Sequence, residues 1–168
     1  MAADLYRSIV AQSRQPDFFA RLGVADTIEG RFDLILVNAF VVFRRLKQDQ
    51  AGRDLAQQVF DAMFAGLDQN MREMGIGDVG ILKRVRKMSE SYHGRIVAYE
   101  EGLRDGDEAL ASALNRNLYA DTEVKPEQLA AMVRYVHLAD AALATQKSED
   151  LMNGIITFPD APECMPEN

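Results

Sequence analysis

The chain has 168 residues, 48% of them hydrophobic and 27% charged, with a net charge of −7. That length suits one domain with a sizeable core, and the composition excludes a disordered or fibrous chain. A single cysteine, Cys164, excludes an intramolecular disulfide and gives little to build a zinc site on. The acidity argues against general nucleic-acid binding but not against one local basic patch. Charge is in fact uneven: residues 1–97 carry 14 Lys+Arg against 12 Asp+Glu, and residues 98–168 carry 5 against 14.

In chain order, Met1 to Gln15 holds Asp4, Arg7 and Arg14 and has no apolar run of signal-peptide length. It is expected to be neither a secretory signal nor a transit peptide. A short helix is predicted over Asp4 to Gln12, and a second from Pro16 to Gly23, with proline in the first turn where its missing N–H costs nothing. Thr27 is a predicted N-cap, with Glu29 in the first turn of a helix reaching Lys47. Between Phe32 and Leu46 its apolar side chains cover nearly every azimuth, the pattern of a central buried helix. Phe32 to Phe43 would span about 18 Å, short of the roughly 30 Å hydrocarbon core of a bilayer.

Leu55, Val59, Met63, Leu67, Met71 and Met74 recur at steps of three and four, which predicts one helix over 51–74. Gly75-Ile76-Gly77 stops it, and Asp78 is the expected N-cap of a long helix to Leu103, closed by Asp105-Gly106. Residues 107–119 follow with Leu110, Leu114 and Leu118 in line. Pro126 opens a helix with Leu129, Met132, Val133, Val136 and Leu143 inward, and a short helix is predicted at Ser148 to Asn153. Met63, Met71, Met74 and Met88 read as core at this spacing, although methionine also serves surfaces that accept varied apolar partners. The fold class expected is all-α: one domain over residues 1–157, six or more helices around a central one. Residues 158–168, with Pro159, Pro162 and Pro166, form the expected flexible tail.

No catalytic group emerges from this pattern. Gly75, Gly77 and Gly80 do not follow a strand, so they do not make a phosphate loop. His93 and His137 are far apart, and Glu100-Glu101 and Glu149-Asp150 lie on polar faces. The expectation is a chain with no catalytic residue, no bound metal and no cofactor.

The 78–103 helix carries the one excess of charge. With Lys83 at 0° and about 100° per residue, Arg84, Arg86 and Lys87 fall near 100°, 300° and 40°. Leu82, Val85, Met88, Tyr92, Ile96, Tyr99 and Leu103 fall between about 140° and 260° and form the expected core stripe. Glu90 lies on the basic arc and tempers it. The face is either solvated or a docking surface for a membrane, ribosomal RNA or an acidic protein. Arg44, Arg45 and Lys47 either extend this patch or complement the C-terminal dipole of their own helix.

The run Asn70-Met71-Arg72-Glu73-Met74-Gly75-Ile76-Gly77-Asp78-Val79-Gly80, with Lys83-Arg84-Val85-Arg86-Lys87-Met88, resembles the ubiquinol–cytochrome c chaperone family. Phe32-Asp33-Leu34 through Arg44-Arg45-Leu46, then Tyr92, Gly94-Arg95, Ala98-Tyr99 and Ala113 to Tyr119 (including Asn117), continue the resemblance over about residues 30–145. The resemblance implies a non-enzymatic assembly factor that engages newly made cytochrome b for respiratory complex III. It also implies a ribosome or anionic inner-membrane surface and a small partner protein as further contacts, with no specific DNA binding. A chain without a transit peptide would be a bacterial member at the cytoplasmic face of the inner membrane. Family members commonly carry histidine where this chain has Asn38; asparagine keeps a hydrogen bond and loses the titratable charge. A lipid or quinone carrier with a pocket between helices is the alternative reading, and an enzyme built on a cleft of distant carboxylates the third.

Overall fold

A computed structural model describes residues 1–163; Cys164 and Pro166 lie outside the described residues. Among the described residues the chain forms eight helices and no strand. They are α1 (Ala2–Ser13), α2 (Pro16–Ala20), α3 (Ile28–Leu46), α4 (Gln50–Glu73), α5 (Asp78–Asp105), α6 (Asp107–Asn117), α7 (Pro126–Ala144) and α8 (Ser148–Met152). Every predicted helix is present. The single all-α architecture follows from their apolar stripes.

Local chemistry sets the helix ends. Thr27 caps α3 by accepting the Gly30 N–H at 3.0 Å, and Asp49 does the same for Gly52 at 2.7 Å in α4. Asp78 does not cap α5. Gly77 is the N-cap, and Asp78 is the first helical residue, its exposed carboxylate taking a hydrogen bond from Arg72 at 2.6 Å. Gly75 has φ +79° in the turn between α4 and α5, a conformation costly for any side chain with a Cβ. Beyond α6 the chain turns inward, and the Tyr119 hydroxyl donates to the Leu22 carbonyl at 2.8 Å.

Helix α3 is the axis of the molecule. Every residue from Leu36 to Phe43 is buried. It packs against α1, α4, α5 and α7, while α6 packs between α5 and α7. Burying each large apolar side chain contributes about 1.5–3 kcal/mol before entropy is counted.

One polar group lies in the middle of this core. Asn38 is fully buried, and its amide nitrogen donates to Ser13 Oγ at 2.8 Å. Ser13 in turn donates to the Ile9 carbonyl at 2.7 Å. The Tyr135 hydroxyl donates to Asn38 Oδ1 at 2.6 Å, and Gln12 Nε2 reaches Tyr135 Oη at 2.9 Å. The network ties α1, α3 and α7 together at one point. Gln12 also donates to the carbonyl of Pro159 at 2.7 Å, and Phe158 and Ala161 pack on the core. Within the expected tail, residues 158–161 thus meet a buried polar side chain and make apolar contacts.

A second polar contact in the core joins Arg95 of α5 to Asp33 of α3, both largely buried. Around it Phe32, Phe60, Phe64 and Tyr92 form an aromatic cluster across α3, α4 and α5, with centroid separations of 4.7 to 6.3 Å. Such pairs add about 0.5–1.5 kcal/mol each beyond area burial.

Replacing Tyr135 with phenylalanine strands Asn38 Oδ1 and one Gln12 donor. We expect a loss of about 1–3 kcal/mol, read as a lower denaturant midpoint at unchanged m.

Burial raises the Tyr92 hydroxyl to about 12 and pushes those of Tyr99, Tyr135 and Tyr6 upward as well. An unfolded tyrosine titrates near about 10. Below that pH both states keep the proton; above it the unfolded chain releases it first, so folding stability falls as pH rises from about 10 through 12. Chemical denaturation across this window will show the fall, and Tyr92→Phe will make its slope shallower.

Candidate functional site

Two surfaces stand out from an otherwise filled helical core. The first is an open cleft of about 1070 Å³. Its walls are α1 and α2 on one side, the start of α3 at its base, and the last turns of α4 on the other side. Phe19, Ile28, Ile35, Leu67, Met71 and Met74 give it an apolar lining, and Arg14, Asp26, Arg31 and Glu73 stand among the polar lining groups. Arg31 and Asp26 are paired at 2.6 Å, so that part of the lining is already neutralised. Tyr6 crosses from α1 onto α4, where Gly66 admits it: a Cβ there would meet the Tyr6 hydroxyl at 2.1 Å.

The second surface is the exposed side of the first turns of α5. Lys83, Arg86 and Lys87 are exposed and, among the described residues, make no ion pair. Glu90 pairs with neither Arg86 nor Lys87. Arg84 is turned toward α3 and approaches Glu29 at 3.6 Å. The expected core stripe is corrected at its first position. Leu82 is 61% exposed, and Ile81 takes the buried place instead. Ile81 points to the core in the same turn, and Leu82, one residue on, points away from it.

Arg44 and Arg45 do not extend the basic face. Arg44 pairs with Glu100 of α5 and with Asp140 of α7, the latter at 2.9 Å. Arg45 donates to the carbonyls of Leu143 at 3.1 Å and Gln146 at 2.9 Å and to the Ser148 hydroxyl at 2.9 Å. Both charges are held by groups brought close only by the fold. Lys47 remains exposed at the end of α3.

The residues of the family resemblance act mainly as framework. Met71 is fully buried, and Met74, at the C-cap of α4, is 64% exposed. Arg72 bridges Asp68 and Asp78 across the α4–α5 turn, at 2.8 and 2.6 Å, where Gly75 and Gly77 lie. Tyr92, Arg95 and Tyr99 join α5 to the core, and Asn117 donates to the Ala113 carbonyl at 2.8 Å.

His93 is exposed, and His137 meets Asp107 at 2.7 Å on the surface. Among the described residues no group of three or more His, Cys, Asp or Glu side chains could hold a metal ion, and no helix is long and apolar enough to cross a membrane.

The match to the ubiquinol–cytochrome C chaperone family spans residues 20–158. The chain belongs to that family. The match is wider than the motifs alone delimit, taking in α8 and the segment that Gln146 holds through Thr157. A ubiquinol–cytochrome-c reductase complex assembly factor 1 from Xenopus laevis is 29% identical over 152 residues, covering 90% of this chain and 76% of that protein. The human assembly factor 1 is 27% identical over 152 residues, 90% of this chain and 51% of its own length. Protein CBP3 of yeast mitochondria is 25% identical over 151 residues, 82% of this chain and 45% of its own length. The chain therefore spans about half the length of several of these relatives. The crystal structure of the Cbp3 homolog from Brucella abortus superposes with a TM-score of 0.82 at 34% identity, over 95% of this chain and 89% of that one. The chaperone-family fold is thus shared over nearly the whole chain.

The two kinds of cation differ in what their removal does. Arg45→Ala will lower stability by about 1–3 kcal/mol, because it uncouples the ends of α3 and α7 from α8. Lys83→Ala will stay within about 0.5 kcal/mol of the parent. Paired denaturant titrations measure both.

Proposed function

We propose that this chaperone-family chain is a non-enzymatic assembly factor for ubiquinol–cytochrome c reductase whose client is newly made cytochrome b. The observation that carries the proposal is the apolar cleft on a chain whose relatives are named assembly factors of that complex. An apolar client helix is about 10–12 Å across with its side chains. It would lay part of one face on Phe19, Ile28 and Ile35, with the exposed Met74 at the rim. Methionine side chains adapt to varied apolar shapes, which suits a chaperone that must release its client. The cationic face of α5 is proposed to hold the factor at an anionic surface, the ribosome or the cytoplasmic face of the inner membrane. A small partner protein is proposed to share the work.

Synthetic transmembrane segments of cytochrome b, presented in mild detergent, test the cleft. We expect Phe19→Glu with Ile35→Glu to weaken peptide binding by about tenfold or more, since a client would have to desolvate two carboxylates. Circular dichroism will check that the variant is folded. Unchanged affinity in a folded variant would remove the cleft from the client site. The cleft's volume also suits a lipid or quinone. Stoichiometric quinone in organic extracts of the purified protein, displaced by no client peptide, would favour that carrier reading instead.

A further inference from the structure

The outward arc of α5 mixes its cations with apolar side chains that the core does not use. Val79 is 83% exposed, Leu82 61%, and Met74, just before the turn, 64%. On the wheel used above, Val79 falls near 320° and Leu82 near 260°, with Arg86 at about 300°, Lys83 at 0° and Lys87 near 40°. The buried residues Ile81, Met88, Ile96 and Tyr99 lie on the other side, between about 140° and 220°. The exposed arc is therefore apolar and cationic together, and it faces away from the buried side of α5.

We infer that this corner seats shallowly on an anionic lipid surface, with Met74, Val79 and Leu82 entering the headgroup boundary and Lys83, Arg86 and Lys87 binding lipid phosphates. The inference rests on the proposed docking role of the α5 face and names its partner. Charge complementarity decides for lipid. The chain as a whole is acidic, and residues 98–168 carry 14 Asp+Glu against 5 Lys+Arg, so attraction to an anionic surface must come from a local cluster. The three cations have no ion-pair partner among the described residues. The face is the convex side of a helix, with isolated apolar side chains set between long basic ones. That is the pattern of an interfacial helix, whose basic stems reach headgroups while its apolar side chains dip below them. No helix among the described residues is long and apolar enough to cross a bilayer, so the contact is one of surface seating.

The chain contains no tryptophan, which allows a site-specific probe. The full chain carrying Leu82→Trp is mixed with phosphatidylcholine vesicles with and without phosphatidylglycerol, and Leu138→Trp, at another exposed leucine on α7, serves as the control. We expect a blue shift at position 82, only with the anionic lipid, and none at position 138. In vesicle flotation of the tryptophan-free chain, reversal of Lys83, Arg86 and Lys87 to glutamate should weaken binding by about a hundredfold. Met74→Ser with Val79→Ser and Leu82→Ser should weaken it by about tenfold while leaving the need for anionic lipid intact. Absence of vesicle binding by the parent chain would overturn the inference, as would equal shifts at both tryptophans or full binding by the serine variant. If the parent ignores vesicles yet charge reversal still lowers assembled reductase in cells, the docking face serves a macromolecular partner: the broader proposal stands and the lipid assignment falls.

Discussion

Asn38 is the group around which the rest of the molecule must be arranged. It sits within Leu34 to Phe43, a stretch otherwise apolar on every side, where an unpaired amide would cost several kilocalories per mole. Its satisfaction requires Ser13 from α1 and Tyr135 from α7 at hydrogen-bond distance on opposite ends of one side chain. Apolar packing alone tolerates sliding by a fraction of a turn; this network does not, because its bonds are short and directional. Gln12 carries the constraint outward to Pro159, so the chain beyond α8 is fixed by the same point that fixes α1. The cleft inherits this rigidity, since α1 supplies part of one wall and α3 its base. The Asn38 amide has no access to solvent, so position 38 belongs to the frame.

The long helix α5 is held by different means along its length. Near its middle, Tyr92 joins the phenylalanines of α3 and α4, and Arg95 reaches Asp33. Farther on, Tyr99 packs on Phe40, and Glu100 takes the guanidinium of Arg44. Its first turns have Ile81 and Val85 against the core, with Arg72 of α4 on Asp78 and Arg84 toward Glu29. The arrangement is a lever: firmly bound through the centre and free along one side at the start. An opposite charge buried at Asp33 and Arg95 contributes orientation more than net stability, because desolvation offsets much of its attraction. The free side is where apolar and basic groups accumulate.

Much of this was legible in the sequence. Helix positions followed from periodicity and from Thr27, Pro16, Pro126 and the glycine breaks, and the burial of α3 from its all-round apolarity. The misreadings share one cause. A helical wheel assigns Leu82 to the edge of the inner arc, but burial needs a neighbour, and only the narrower arc of Ile81, Met88, Ile96 and Tyr99 has one. Arg44 and Arg45 read as spare charge because Asp140, Leu143 and Gln146 are about a hundred residues away in the chain. Asn38 signalled that a polar partner must exist inside, yet nothing in the sequence marked Ser13, Gln12 and Tyr135 as the set. The cleft was equally hidden, being a shape left between elements and not a motif within one.

The cleft and the cationic corner meet at Met74. This side chain lines the cleft and also stands at the turn from which the exposed arc of α5 begins. If the corner rests on lipid, one end of the cleft opens at the lipid boundary. An apolar helix entering from there would exchange hydrocarbon for methionine and isoleucine contacts without crossing bulk water. Hydrophobic driving force between two apolar surroundings is small, as it is between helices within a bilayer. Retention would then depend on packing and on any polar group that the client must satisfy, and release would cost little. Weak, reversible holding of that kind would follow from an open cleft beside a surface anchor, where a deep enclosing pocket would instead retain its occupant.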